Sequence, residues 1–426
     1  MCGYSLNAFY PGCPRHSLEV GLPRLGGGMA EDENSKAPAD DGRFWRAAIS
    51  GLCASLLGIG LARFAYSPLI PALIAEGWFQ PSAAAYLGAA NLAGYLLGAL
   101  GARPLAARLG AVFALRGGMV LATIAFFACA WPFPFAWFFV WRFAAGLAGA
   151  AIIVLAAPTV LPYVPASRRG VVTGAIFTGV GLGIAASGTL VPPLLILGLT
   201  WAWVGLGAVA LILTVVAWTG WPPPRGGTGP ARAESNAPLP PAVKAVCLEY
   251  GLAAVGLVVH MVFLVDYVAR ELGQGIAQGG AYWVLFGLGA MCGPMLGGWA
   301  GDRIGFRLAL RIATAIQIAA VALPVIWAGP VALGISSVVV GAFVPGIAPL
   351  MLGRVQDLLP GDAKTQGRGW SLATVAFSLG QAGGAYGFAA IFAETGTYVP
   401  LFWIGAGAII AAVAVDFWVV RLAARR

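Results

Sequence analysis

The sequence predicts an all-α integral membrane protein with twelve transmembrane helices in two pseudo-symmetric six-helix halves. Three observations carry this reading: the composition, a count of apolar runs and an internal repeat. Of 426 residues, 60% are hydrophobic and 10% are charged. A soluble domain carries about a quarter charged residues because its surface faces water. A chain this long with so few charges has the lipid bilayer as its partner.

Each helix crossing a bilayer core needs ~20 apolar residues. Such runs lie at 46–74, 82–102, 111–131, 134–160, 169–196, 200–220, 244–269, 278–300, 306–327, 330–353, 368–392 and 398–421. The one long connection, 221–243, holds Pro222, Pro223, Pro224, Pro230, Pro238, Pro240 and Pro241, which exclude regular structure and mark a linker. The halves are therefore 43–220 and 244–421, with a basic tail at 422–426. Residues 1–42 read as a polar, disordered tail. Its first 28 residues contain no apolar stretch long enough for a signal peptide, and Met29 is the expected start of translation.

Loop charge sets orientation. Arg43, Arg46, Arg103, Arg108, Arg116, Arg168, Arg169, Arg225, Arg232, Lys244, Arg303, Arg307, Arg311, Lys364, Arg368, Arg425 and Arg426 gather on one side, against Arg270 alone on the other. Both termini and the linker are expected in the cytoplasm. The abundance of Arg, Ala and Gly points to a GC-rich bacterial source and hence to a bacterial inner membrane. The net charge of +9 does not imply nucleic-acid binding, because the basic residues form no continuous face.

The repeat joins the halves. Arg108 and Gly110 match Arg303 and Gly305 at one offset of 195 residues. Gly181 in the fifth run falls where Gln381 stands in the eleventh. Duplicated six-helix halves are a transporter architecture with a solute site between the halves near the midplane.

Several motifs then resemble the major facilitator superfamily. Gly298-Trp-Ala-Gly-Asp302-Arg303-Ile-Gly305-Phe-Arg307 is similar to that family's signature between helices eight and nine, while the first-half counterpart has Ala107 in place of the acid. Arg142-Phe-Ala-Ala-Gly146 resembles its fourth-helix motif. Gly58-Ile-Gly-Leu-Ala-Arg63-Phe-Ala-Tyr66-Ser-Pro68-Leu-Ile-Pro71, followed by Gly88-Ala-Ala-Asn91-Leu-Ala-Gly94-Tyr95, is similar to the bacterial YbfB/YjiJ-type branch. The resemblance spans 43–421 and implies that helices one, four, seven and ten line a central cavity. It also implies a cytoplasmic gate of Arg108, Asp302, Arg303 and Arg307, weaker in the first half for want of an acid at Ala107.

A charge deep in a transmembrane helix costs at least ~2.5–3.5 kcal/mol, so it faces a cavity or a partner. Arg63 and Arg142 both lie about 10–12 Å below the outer boundary at ~1.5 Å per residue. Together they make a candidate anion site, because guanidinium groups grip carboxylates bidentately. The bland alternative is a structural pair neutralised by carbonyls or by Asp266. Helix seven adds Glu249, His260 and Asp266 as proton-coupling candidates, with Asp266 expected to face the arginines across the cavity. Tyr66, Asn91, His260, Tyr267 and Gln381 complete the candidate substrate contacts, though interhelical hydrogen bonds explain such residues equally well. Asp416 is expected to pair with Arg421.

Other chemistries find no support. Gly181-Leu-Gly183-Ile-Ala-Ala186 satisfies a dinucleotide fingerprint, but it has no preceding strand and is better explained by close helix packing. Cys2, Cys13, Cys53, Cys129, Cys247 and Cys292 form no C-x-x-C pair, so no metal or cofactor is expected. No phosphate-binding loop is present to use ATP, and two histidines are too few for a membrane enzyme. The expected function is secondary transport of a small organic solute, anionic by the arginine pair and coupled to protons, by a monomer. Efflux of drug-like or sugar-like compounds, or solute sensing without flux, are the alternatives.

Overall fold

A computed structural model describes residues 41–165, 168–223, 239–360 and 363–424. The expectations for the tail up to residue 40, including Met29, for most of the linker and for the last two basic residues lie outside these. Twelve helices are long and apolar enough to cross a membrane: α1 Phe44–Ala75, α2 Pro81–Leu109, α3 Ala111–Ala128, α4 Phe135–Tyr163, α5 Arg169–Ile196, α6 Leu199–Trp218, α7 Pro241–Glu271, α8 Gly275–Ile304, α9 Phe306–Ile326, α10 Pro330–Leu358, α11 Thr365–Thr395 and α12 Val399–Trp418. Several outrun their apolar windows by a turn or more. α2 carries Arg103 and Arg108 as far as Leu109, and α7 opens at Pro241, where a missing N–H costs a helix nothing.

The repeat noted in the sequence has a backbone cause. α2 ends at Gly110, with φ 89°, and α8 ends at Gly305, with φ 80°. Both turns use the left-handed region that glycine enters without a Cβ clash. The Arg-x-Gly pattern is thus the same tight turn built twice.

Packing inside each half repeats as well. α2 meets α4 where Gly94, Gly98 and Gly146 lie against the backbone carbonyls of Phe143, Leu147 and Asn91. α8 meets α10 where Gly289, Gly293 and Gly341 lie against those of Val338, Ala342 and Phe286. A Cβ at any of these six glycines would overlap the facing backbone. Lipid tails offer no hydrophobic drive for helices to associate, so close backbone approach supplies the cohesion. The Gly181–Gly183 segment belongs to this class: Gly183 packs on Gly60 of α1, and Gly181 on Met291 and Gly287 of α8.

α1 is not a regular helix. It runs as α-helix to Ser55, as a π-helical turn over Leu56–Leu61, and resumes as α-helix at Tyr66. Pro68 has no N–H to give, and the Ser67 N–H turns to the carbonyl of Phe64 instead of that of Arg63. α7 also contains π-helical segments, Val259–Phe263 and Tyr267–Glu271. These broken helices sit at the centre of the molecule. α1 is flanked by α4, α5 and α6 of its own half, and α7 by α10, α11 and α12 of the other.

The glycine seams give a direct test. Gly293→Leu drives a side chain into Ala342, whereas Gly298→Leu on the same helix meets open space. Thermal unfolding of the purified protein is expected to drop several degrees for Gly293→Leu, in line with overpacking costs of about 1–3 kcal/mol. Gly298→Leu is expected to stay at the wild-type value.

Candidate functional site: the break in helix α1 and the cavity beneath it

The break leaves backbone carbonyls that lipid cannot solvate, and α4 supplies their partner. Arg142 donates from Nη1 to the carbonyl of Ala62 at 2.9 Å and from Nη2 to that of Arg63 at 3.4 Å. Asn91 of α2 donates to the carbonyl of Arg142 at 3.0 Å and to that of Ala62 at 3.4 Å. The Arg142 guanidinium lies over the Tyr66 ring, 4.2 Å from its centroid, and the Tyr66 hydroxyl donates to the carbonyl of Ala84 at 2.8 Å. Arg142 is only 3% exposed. Arg142, Asn91 and Tyr66 therefore form a clamp on the unwound segment.

Arg63 is placed differently. It is partly exposed and stacks over Tyr95, 4.8 Å from the ring centroid, and over Phe64, at 5.2 Å. Among the described residues its one protein hydrogen bond crosses to the other half, from Nη2 to Oε1 of Gln381 at 2.8 Å. Among the described residues neither arginine takes part in an ion pair. A cavity of about 10 Å³, enough for one water, lies between Arg63, Ser67, Asn91 and Arg142. Arg63 Nε, Arg142 Nε and Asn91 Oδ1, each buried and without a protein partner, belong to residues that line it.

The two halves touch on the side of this site away from the basic loops, called here the far side. The Ser67 hydroxyl donates to the carbonyl of Met261, and the Trp283 indole to the Ser187 hydroxyl at 3.1 Å. Phe64 packs against Trp283 and Phe286, and Tyr86 against Tyr386. On the basic side the faces of α1 and α7 that their own halves leave uncovered are open: Leu52 and Leu56 lead to Arg63, and Lys244, Leu248 and Leu252 to Val255. Leu248 is 51% exposed on a helix that is mostly buried. A passage therefore opens towards the basic side and ends at Arg63.

Several expectations are corrected by position. Asp266 does not face the arginines. It is 2% exposed and holds Arg270, one helical turn away, through two bonds of 2.7 and 2.9 Å, with the Tyr398 hydroxyl as a third partner. His260 and Tyr267 lie inside the second half rather than on the passage. Ser336 donates to the carbonyl of Ala320 at 2.7 Å, so it must accept from His260 Nε2, also at 2.7 Å, and that nitrogen carries a proton. Tyr267 donates to the carbonyl of Pro324 at 3.1 Å. Asp416 pairs with Arg311 of α9; the side chain of Arg421 lies outside the described residues.

Glu249 is buried within the second half, away from the arginines. At the α8–α9 turn Asp302, Arg303 and Arg307 are exposed, as is Arg108, and no ion pair joins Asp302 to either arginine among the described residues. Sequence reading missed Tyr95, although it stands four residues after Asn91 and so on the same helix face. It also missed Ser67 and Arg354, which sit beside a proline and at a helix end where polar residues draw no attention.

Twelve apolar helices in two similar halves, closed on one side of a central charged site and open on the other, define a multi-pass membrane transporter of the major facilitator type. The model of the family described as "Uncharacterised MFS-type transporter YbfB" matches residues 55–417, and the chain belongs to that family. No curated protein matches it. Among solved structures, that of a D-xylose-proton symporter is similar, with a TM-score of 0.66 at 16% identity over 88% of this chain and 97% of the symporter.

The division of labour between the arginines predicts opposite stability effects. Arg142→Gln is expected to lower the melting temperature clearly, because stranding a buried polar partner costs about 1–3 kcal/mol. Arg63→Gln, losing one bond at a cavity wall, is expected to melt close to wild type in the same assay.

Proposed function

We propose that this protein carries a small organic anion across the membrane by alternating access, coupled to protons, with Arg63 as the residue that binds the anion. The observation that carries this reading is the state of Arg63: a guanidinium at the closed end of the passage, with no carboxylate partner and one bond, to Gln381 of the opposite half. An anion arriving from the basic side meets a planar fork able to grip it bidentately. Arg142 adds a second positive charge from behind, its two terminal nitrogens held by backbone. Tyr95 and Gln381 flank the bound group. The positive-inside rule makes the basic side cytoplasmic, so the passage opens to the cell interior and both termini lie there. The bacterial inner membrane and a monomer complete the proposal.

A solute that takes two bonds from Arg63 competes with Gln381 for the same donors. Binding would loosen the contact between α1 and α11 at the foot of the far-side closure, and substrate capture would be tied to the opening of that side. A neutral, sugar-like solute is the second reading, favoured by the amide and phenol groups around Arg63. A receptor that binds without flux would show no counterflow in proteoliposomes.

A thermal-shift screen of wild type and Arg63→Gln against acetate, lactate, succinate, benzoate and neutral sugars decides between these. A ligand at 100 times its Kd stabilises by about 2.7 kcal/mol. A carboxylate is expected to raise the melting temperature of wild type by several degrees and that of Arg63→Gln not at all. Equal shifts in both proteins, or shifts with sugars alone, would remove the anion reading.

The α8–α9 turn supplies the second gate on this reading. With the passage open, Asp302 is unpaired with Arg303 and Arg307; closing it would bring the acid against cations at the basic side. Asp302→Asn is expected to reduce carboxylate uptake into proteoliposomes several-fold, and Ala107→Asp to change it less. Wild-type uptake by Asp302→Asn would count against the latch.

A further inference from the structure

A second group of charges lies inside the second half, apart from the arginine site. Glu249 on α7 is 2% exposed, Asp416 on α12 is 2% and Arg354 on α10 is 7%. Arg311 of α9 bonds Asp416 and so neutralises it. Glu249 feels Asp416, Arg354 and Arg311 electrostatically, and Arg354 in turn feels Arg307 of α9 and Asp357 of its own helix. On α7 itself Cys247 and Tyr250 flank Glu249, and α11 presents Trp370 and Phe377 to Tyr250. The surroundings are apolar: Val246, Leu310, Met351, Val355 and Ala412 form one buried cluster.

Within that shell one carboxylate and one guanidinium stay unmatched. Glu249 Oε2 and Arg354 Nε are buried without hydrogen-bond partners, and no ion pair joins the two residues among the described residues. An ionised carboxylate buried and unbonded costs several kcal/mol. Two arrangements remove that cost. Either Glu249 holds a proton, or Arg354 moves to it and the pair closes. Arg354 cannot give up its own proton, so the choice rests with Glu249. α10 can make the movement: Pro349 and Pro345 lie about one and a half and about two and a half turns before Arg354 and delete backbone bonds there. Of the other two coupling candidates, Asp266 is saturated by Arg270 and Tyr398, and His260 donates to Ser336 with no acid beside it.

We infer that Glu249 is the residue that binds and releases the proton of the transport cycle, with Arg354 as the counter-charge that closes on it when the proton leaves. The inference rests on the secondary-transport reading above and assigns its proton to a place distinct from the solute site.

Infrared difference spectroscopy of the full chain in lipid nanodiscs, titrated between about pH 5 and about pH 10 so as to bracket neutrality, reads this site with no solute present. Wild type is expected to show the C=O stretch of a protonated carboxyl that disappears as pH rises. Glu249→Gln should abolish the band, Glu249→Asp should move its frequency, and Asp266→Asn should leave it untouched. Arg354→Gln should shift its loss upward by about 1–3 pH units, because an adjacent cation favours the ionised form. A band that persists in Glu249→Gln, or a titration that ignores Arg354→Gln, overturns the assignment. In proteoliposomes with the carboxylates of the screen above, Glu249→Gln should retain solute exchange and lose accumulation driven by a pH gradient. Driven accumulation by that variant would also overturn it. If wild type moves none of those carboxylates, the transport reading fails, and the infrared titration still decides the proton site separately.

Discussion

In hydrocarbon a backbone carbonyl without a donor has no water to turn to, and the helix that carries the candidate site is broken. The architecture around the site depends on how that break is satisfied. Arg142 meets two successive carbonyls of α1 with two nitrogens of one planar group, and Asn91 reinforces one of them. A lysine, with its charge on a single nitrogen, could not span both positions as a fixed fork. The clamp ties α1 to α4 and α2, sets the direction in which the next side chain, Arg63, leaves the backbone, and keeps Arg142 itself from serving as a free anion receptor. A charge that costs at least ~2.5–3.5 kcal/mol to bring into a helix centre is thereby partly compensated by groups that would otherwise be stranded.

The two halves share a backbone plan and differ in chemistry. Glycine turns at 110 and 305 and glycine seams between α2 and α4 and between α8 and α10 occur in both. These are the positions where a side chain would prevent helices from approaching, so duplication could not vary them without loss of the fold. Polar residues were free to diverge. In the first half the charges within the helices are cations, buried on α4 and partly exposed on α1. In the second they are acids on α7 and α12, together with cations on α9 and α10. A solute site in one half and a proton site in the other is the functional counterpart of that asymmetry on the proposed reading.

The helices and the repeat were legible because they rest on composition and on short patterns. Helix ends were less so, since α2 and α8 continue through polar turns on the basic side that an apolar window excludes. Arg63 and Arg142 stand out by the cost of a charge at that depth, yet nothing in the sequence distinguishes them; the distinction is made by the break in α1, which contains Arg63 and whose carbonyls occupy Arg142. Asp266 was assigned to distant arginines although Arg270, four residues on, was available on its own helix. Asp416 is bonded by Arg311, which lies 105 residues away and which spacing along the chain does not single out. Depth can be counted along a chain, whereas the face a side chain presents and the helix that meets it are tertiary facts.

The bond from Arg63 to Gln381 joins these points. A hydrogen bond to a charged group contributes about 1.5–3 kcal/mol, a small part of what a closed interface of aromatic and glycine contacts provides. It is nevertheless the contact between the halves whose donor also faces the passage. On the proposed reading, a bidentate pairing of Arg63 with an anion would replace it with a stronger interaction in the same place, so the free energy of capture would be set directly against one link of the closure. The contacts farther out, Ser67 to Met261 and Trp283 to Ser187, involve neutral groups. They would hold the far side shut until the site is filled and the remaining balance shifts. A ligand moves such an equilibrium only by its differential affinity for the two states, and Arg63 is where that difference would arise. Had Gln381 been an acid, its ion pair with Arg63 would have competed with the solute far more strongly. A neutral amide keeps the charge available and the latch weak.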